Sequence, residues 1–214
     1  MTTVPGTPAA TLAAYADAGP LARLADRAEH HGGAQAFGLT VLGAVPLTVA
    51  LALLDPDLFD RLLLVAAVAV FVLAASLGWA ASLDDRFDWL VPALLRAVEY
   101  GVVIRVTAVL APGDMPAAYA FCAALAYHHY DVINRVRYTG LAPATWVAYA
   151  GGGFDGRMLV LAVLALGGAA TLTAGLWLAA AGLAVVFVSE SVRAWLSWTR
   201  NADAPVDSAK EDVD

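Results

Sequence analysis

The sequence is poor in cysteine, lysine and charge. Among its 214 residues it has one cysteine, Cys122, and only 14% charged residues. A single cysteine can form neither an internal disulfide nor a thiolate metal site. The net charge of −7 excludes the strongly basic surface of a nucleic-acid-binding protein. Residues 1–20 lack the basic region and apolar core of a secretory signal, so we expect the protein to enter the membrane through its own spans.

Arginine supplies 11 of the 12 basic residues, and Lys210 is the only lysine. The planar guanidinium group suits bidentate contact with phosphate or carboxylate groups. A genome rich in G and C gives the same bias without functional meaning. Both interpretations of the arginine bias stay open at this point.

Apolar residues are in excess, at 61% of the chain, against about one half in soluble domains. Each spanning helix needs roughly 20 apolar residues, so the chain has room for about six with short connections. We therefore predict an all-α fold, a polytopic membrane helix bundle. Its predicted parts are a disordered segment with a surface amphipathic helix at 1–33, a six-helix transmembrane domain at 34–200 and an acidic disordered tail at 201–214.

The apolar runs and their polar interruptions predict where the six spans lie. They are placed at about 34–54, 58–82, 89–110 and 116–138, with two more in 158–198 separated by a break near 167–175. Arginines concentrate in the amino-terminal segment, after the second and fourth spans, and at the carboxyl end. By the positive-inside rule both ends are cytoplasmic. This pattern predicts a multi-pass protein of the cytoplasmic membrane.

The densest polar chemistry lies in residues 126–138, at the end of the fourth span. His128, Asp131, Arg135 and Tyr138 recur at spacings of 3, 4 and 3 and so form one stripe of a helix, whereas His129 points elsewhere. Ionisable groups at membrane depth are costly and usually functional. We therefore expect this stripe to form one wall of a cytoplasm-facing pocket.

A second polar group begins the third span, where Arg96 and Glu99 are three residues apart and share a helix face. Arginines can clamp phosphate oxygens, and a histidine beside an aspartate suits a general base. The candidate catalytic residues are His128, Asp131 and Glu99. The candidate substrate-binding residues are Arg96, Asn134, Arg135, Arg137 and Arg157. Asp85 and Asp88 are candidate ligands of a divalent cation such as Mg²⁺.

Each of these groups also has a purely structural interpretation. Acids at the start of the third span complement the helix dipole and cap free amides. Arg96 and Glu99 can form a structural ion pair, and arginines after the fourth span can simply determine topology. A bis-histidine haem has little support, because the four histidines form two adjacent pairs, at 30–31 and 128–129.

Three stretches, residues 88–101, residues 127–131 with Arg135, and residues 151–157, resemble an uncharacterised bacterial membrane domain that is often fused behind a CDP-alcohol phosphatidyltransferase domain. The resemblance covers about residues 84–163. The resemblance implies that the protein functions close to an enzyme of phospholipid head-group or phospho-alcohol transfer. It does not imply a particular activity for this domain. The transferase's Asp-Gly, Ala-Arg, Gly, Asp, Asp motif is missing here, so the chain is not that transferase.

Two functions from different classes follow as expectations. In the first, the pocket binds or acts on a phosphorylated or nucleotide-activated alcohol or lipid head group in membrane lipid or glycolipid synthesis, and a head-group transferase is the enzymatic form of this idea. In the second, the protein is a non-catalytic membrane partner or small carrier that assists a phosphatidyltransferase-type enzyme. The expected partners are the lipid bilayer, a phospholipid-synthesis enzyme and a second copy of the chain, with no nucleic acid.

Overall fold

A computed structural model describes residues 2–3, 14–27, 36–79 and 86–202 of the chain. The helices are α1 (Pro20–Arg27), α2 (Ala36–Leu53), α3 (Leu58–Trp79), α4 (Val91–Leu110), α5 (Met115–Thr139), α6 (Thr145–Ala150), α7 (Gly153–Leu166) and α8 (Ala169–Ala202). Short 3-10 turns at Asp88–Leu90 and Pro112–Asp114 lead into α4 and α5. Strands β1 (Thr2–Thr3) and β2 (Leu141–Ala142) pair antiparallel, with Thr2 opposite Ala142. The predicted all-α architecture is confirmed.

Among the residues that the structure describes, four helical segments are long and apolar enough to cross a membrane: Ala36–Leu53, Leu58–Trp79, Trp146–Leu166 and Ala169–Arg200. Helices α4 and α5 have comparable length, but charged and polar residues interrupt their apolar sequence. Because backbone groups within a bilayer must bond inside the protein, helices of this kind suit a lipid environment.

Small residues set the distance between α2 and α3. The buried positions of α2 recur every three or four residues at Ala36, Thr40, Gly43, Leu47 and Ala50, which makes one stripe along the helix. A side chain at the glycine of this stripe would collide with the facing helix. Close backbone approach through small residues is typical of helices that pack in membranes.

Helix α5 packs mainly against α8, and α7 packs against α3. Between α7 and α8 the chain turns at Gly167 and Gly168, and Gly168 has a φ of 81°, which favours glycine. This turn lies within the predicted break at 167–175. Helix α8 has 34 residues, about 51 Å at 1.5 Å per residue, which exceeds the roughly 30 Å of a bilayer core.

The amino-terminal segment, residues 14–27, packs into one end of the bundle. Ala16, Ala18 and Ala22 are buried there, while Leu21 and Leu24 on α1 are exposed. Helix α1 contacts α3 and α7. Small residues let the segment approach the helices closely, and this position brings Asp17 among charged side chains of α5 and α7.

Some sequence predictions concern residues outside the described part. These are most of the predicted disorder at 1–8, the histidines His30 and His31, the acids Asp84 and Asp85, and the acidic tail beyond Ala202.

Candidate functional site

Two groups of buried ionisable side chains lie along α5. The Asp17 cluster consists of Asp17, Arg96, Glu99, His128, His129 and Arg157, and the Arg135 cluster consists of Asp131, Arg135 and Glu190. The stripe of α5 that the spacing predicts supplies members of both clusters, one turn apart. Its last residue, Tyr138, is instead largely exposed.

In the Asp17 cluster, Arg157 joins α7 to α4 and to the amino-terminal segment. Its Nε donates to Glu99 Oε1 at 2.6 Å, and its Nη2 donates to Glu99 Oε2 at 3.2 Å. Its Nη1 donates to the carbonyl of Gly151 at 3.1 Å. Arg157 Nη2 also lies 2.9 Å from Asp17 Oδ2. Glu99 therefore accepts from two of the three guanidinium nitrogens of Arg157, and Asp17 lies against Nη2, which it shares with Glu99.

Both histidines of α5 face Asp17. His128 Nε2 lies 3.7 Å from Asp17 Oδ1, and His129 Nε2 lies 3.6 Å from Asp17 Oδ2. His128 stacks on Phe187 of α8, with ring centroids 3.8 Å apart and planes 13° apart. The hydroxyl of Tyr100 lies 2.8 Å from His129 Nδ1. A Tyr100 that donates to Nδ1 places the imidazole proton on Nε2, the atom facing Asp17.

Arg96 lies at the edge of the same cluster, beside a cavity. Its Nη2 donates to the main-chain carbonyl of Tyr15, whereas its Nη1 is buried without a hydrogen-bond partner among the described residues. The cavity has a volume of about 440 Å³. Its polar wall is formed by Asp17, Arg96, Tyr100, His128 and His129, and its rim is apolar, with Trp89, Pro92, Ala93 and Ile133.

The main chain of the amino-terminal segment is held by α7. The carboxylate of Asp155 accepts the N–H groups of Leu21 and Ala22 at 2.7 and 2.9 Å and so caps α1. The N–H of Phe154 donates to the carbonyl of Asp17 at 3.1 Å. Asp17 has a φ of 52°, a left-handed conformation that costs a non-glycine residue roughly 1 kcal/mol. These bonds hold the carboxylate of Asp17 in the cluster despite that cost.

The Asp17 side chain is 10% exposed. Burial alone would raise the pKa of its carboxyl group. The charge of Arg157 and the nearness of His128 and His129 outweigh burial and hold the pKa of Asp17 well below its ordinary value. Asp17 is therefore an anion at neutral pH.

The Arg135 cluster is held by short bonds, and only Nε of Arg135 is buried without a hydrogen-bond partner among the described residues. Arg135 donates through Nη1 and Nη2 to the two oxygens of Glu190 at 2.7 and 2.9 Å, the bidentate geometry of a strong pair. Its Nη2 also lies 3.2 Å from Asp131 Oδ2. Asp131 Oδ1 accepts from Ser191 Oγ at 2.8 Å and from Trp195 Nε1 at 3.1 Å. These bonds join α5 to α8.

The other candidate site residues lie apart from both clusters. Asn134 donates to the carbonyl of Tyr130 one turn earlier, and Arg137 is exposed over the ring of Tyr138. Asp88 is fully buried and accepts the N–H of Phe37. Its proposed partner in a cation site, Asp85, lies outside the described residues. Within the described residues no group of three or more histidine, cysteine or acidic side chains has the arrangement of a metal site.

Sequence reasoning did not single out Asp17 or Tyr100 as site residues. Asp17 lies in a segment rich in small residues, with Ala14, Ala16, Ala18 and Gly19 around it. Small neighbours allow a charged side chain to enter a packed bundle, and this composition is the signal that could have identified Asp17. Tyr100 carries no such signal, because its role depends on contact with α5.

Fold and site together define a helical protein of membrane type with a charged cluster buried at one end of its bundle. Residues 7–211 match the model of a family of unknown function, DUF5941, and the chain belongs to that family. No curated protein and no solved structure matches the chain.

Proposed function

We propose that the protein binds the phosphorylated head group of a lipid or an activated alcohol in the cavity beside Arg96. The observation that carries the proposal is the cavity wall, where a buried Arg96 nitrogen lacks a hydrogen-bond partner beside His128 and His129. Arginine and histidine donors suit phosphate oxygens. The apolar rim of Trp89 and Ile133 suits the remainder of an amphiphile.

The proposal places the protein in the cytoplasmic membrane with six crossings, formed by the four apolar segments together with α4 and α5. What supports this is that Glu99 on α4 and Asp131 and Arg135 on α5 are buried, as intramembrane charges require, and that Arg96 is half-buried. Both ends are then cytoplasmic by the arginine distribution. Labelling of single cysteines in a Cys122→Ala background tests it: Gly113→Cys should react from outside the cell and Arg86→Cys only after permeabilisation.

A binding experiment tests the head-group proposal. The protein is placed in nanodiscs containing phosphatidic acid, and bound lipid is counted by native mass spectrometry. Arg96→Ala should weaken phosphatidic acid binding by about tenfold or more, since a charge-assisted hydrogen bond contributes about 1.5–3 kcal/mol. The matched control is Arg105→Ala, on the same helix, where the exposed side chain donates to the carbonyl of Leu51. Equal binding by both variants and the unaltered protein would refute the proposal.

The alternative is a non-catalytic partner of a lipid-synthesis enzyme, and one observation favours it. Glu99 and Asp131, which the sequence suggests as catalytic, both use their two carboxylate oxygens in buried bonds. Lipid analysis of a deletion strain distinguishes the two functions. Full rescue by both Arg96→Ala and His128→Ala supports the partner role, whereas loss of rescue by both supports the head-group site.

A further inference from the structure

The carboxylate of Asp17 occupies a position surrounded by hydrogen-bond donors. Arg157 Nη2 lies 2.9 Å from it, and the Nε2 atoms of His128 and His129 lie 3.7 and 3.6 Å from it. Arg96 lines the same cavity wall. We call this position the Asp17 seat, with Arg96, His128, His129 and Arg157 as its four donors.

Asp17 fits this seat poorly. Within the described part of the chain, its Oδ2 forms no aligned hydrogen bond, even to Arg157. His129 Nε2 and Arg96 Nη1 are likewise buried without a hydrogen-bond partner among those residues. Buried donors and acceptors in folded proteins are normally paired. A carboxylate offers two oxygens on a short side chain, and in this seat it leaves donors unsatisfied that a larger oxyanion would reach.

The amino-terminal segment also lines a second cavity, of about 280 Å³, besides the cavity of about 440 Å³. Ala14, Asp17 and His128 line both cavities. Withdrawal of residues 14–18 would therefore join the two cavities and open the Asp17 seat to both.

We propose that the Asp17 seat is a phosphate-monoester site, that Asp17 is a tethered occupant of it, and that the ligand displaces the amino-terminal segment on binding. This inference rests on the proposed head-group function and deepens it. A phosphate monoester has three terminal oxygens and carries close to two negative charges at neutral pH. A phosphodiester has two terminal oxygens and one charge, so it matches four donors less well.

The charges of the seat agree with this exchange. With Asp17 in place, Arg96 and Arg157 are balanced by Asp17 and Glu99. Removal of Asp17 leaves a net charge of +1 from these residues, in a buried position beside two histidines that can also donate. Such a position attracts an anion, and protonation of one of the two histidines would balance the second charge of a phosphate dianion. A tethered occupant lowers the apparent affinity for that anion by the fraction of molecules in which the segment is withdrawn.

Removal of the competing charge tests the inference. Affinities for inorganic phosphate and for phosphatidic acid in nanodiscs are measured for the unaltered protein, Asp17→Asn and the charge-matched control Asp55→Asn, at an exposed position between α2 and α3. Asp17→Asn should bind at least one of the two probes about tenfold more tightly. A gain of this size means that residues 14–18 occupy the seat in about nine-tenths of the molecules of the unaltered protein. Tighter binding of inorganic phosphate would indicate a soluble ligand, and tighter binding of phosphatidic acid would indicate a lipid ligand. Phosphatidylglycerol, a phosphodiester, should show no gain.

Hydrogen exchange of the unaltered protein supplies a second test that does not depend on the variant folding. Saturating ligand should accelerate exchange of the amides of Leu21, Ala22 and Phe154, whose bonds hold the segment. Unchanged or slower exchange would overturn the inference, as would equal affinity of Asp17→Asn and the unaltered protein; in both cases the proposed function stands. If neither probe binds to any form of the protein, the inference and the proposed function are both wrong.

Discussion

The Arg135 cluster and the Asp17 cluster lie one helical turn apart on α5, yet they are built differently. In the Arg135 cluster both carboxylates belong to the long helices α5 and α8, and bonds of 2.7–2.9 Å join Arg135 to Glu190. In the Asp17 cluster one carboxylate comes from a short segment packed against the bundle. Three of its buried polar atoms lack hydrogen-bond partners among the described residues, against one, Arg135 Nε, in the Arg135 cluster.

The difference teaches where a buried charge stabilises the fold and where it can be exchanged. A bidentate pair between two long helices can separate only if those helices move apart, so it is part of the folded bundle. A carboxylate on a separate segment can leave while the bundle stays folded, because local segments open at lower free energy than the core. Four predictions test this contrast, in order of expected effect.

The largest effect is expected from Arg135→Ala. It leaves Glu190 and Asp131 buried without their shared cation, and loss of one partner of a buried ion pair costs about 3–5 kcal/mol. The free energy of unfolding in detergent, measured by denaturant titration, should fall by this amount. Arg193→Ala, an exposed position three residues after Glu190 on α8, is the control and should change it by less than about 0.5 kcal/mol. A similar small loss for Arg135→Ala would remove the contrast between the clusters.

Asp155→Ala should release the amino-terminal segment without unfolding the bundle. Two main-chain N–H groups lose a charged acceptor, and such bonds contribute about 1.5–3 kcal/mol each in favourable cases. Hydrogen exchange should accelerate in residues 14–27 and stay unchanged in α3. Asp155→Asn keeps an acceptor oxygen and is the matched control, since asparagine caps helices about as well as aspartate. Equal acceleration throughout the bundle would show that the segment is not separable.

Gly19→Ala should act on the same segment through shape alone. A Cβ at Gly19 would overlap the carboxylate of Asp155 and the carbonyl of Gly152, so the segment must shift, at a cost of about 1–3 kcal/mol. Gly101→Ala, at an exposed position of α4 with open space around it, is the control and should stabilise by about 0.5–1 kcal/mol. Hydrogen exchange of residues 14–27 measures the effect, and it should be faster in Gly19→Ala than in Gly101→Ala. Unchanged protection in Gly19→Ala would contradict the close packing of the segment.

The helices of the bundle could be predicted from the sequence because their signals are local. Uninterrupted apolar runs predict α2 and α3 with nearly the observed bounds, and Gly167 and Gly168 lie within the predicted break before α8. The polar stripe of α5 was also predictable, since His128, Asp131 and Arg135 recur at helical spacing and are buried. The number of membrane crossings and the orientation of the protein in the membrane stay predictions.

The partners of these side chains could not be predicted, because they come from distant parts of the chain. Spacing suggested that Arg96 pairs with Glu99 or with a facing helix; in the fold Glu99 binds Arg157, and Arg96 binds the main chain at Tyr15. The same limit explains why one pocket was expected for residues that divide between two clusters. Helical periodicity determines which face a residue lies on, whereas the tertiary packing decides what that face meets.

The smallest effect is expected from Asp17→Asn, and it shows in how the free energy of unfolding depends on pH in the acid range. Arg157 and the two histidines hold the pKa of Asp17 well below its ordinary value against the opposing effect of burial. A carboxyl group with a lowered pKa in the folded state adds stability above its unfolded pKa of about 3.9, and this stability disappears as the pH falls through the folded pKa.

The difference in unfolding free energy between the unaltered protein and Asp17→Asn should therefore be constant above about pH 4 and shrink below it. Titrations at a series of pH values measure this difference, and Asp26→Asn, at an exposed position, supplies the baseline. A difference that grows on acidification would mean that the folded state raises the pKa of Asp17. The cations of the cluster would then fail to outweigh burial, and the exchange of Asp17 for a stronger anion would lose its electrostatic basis.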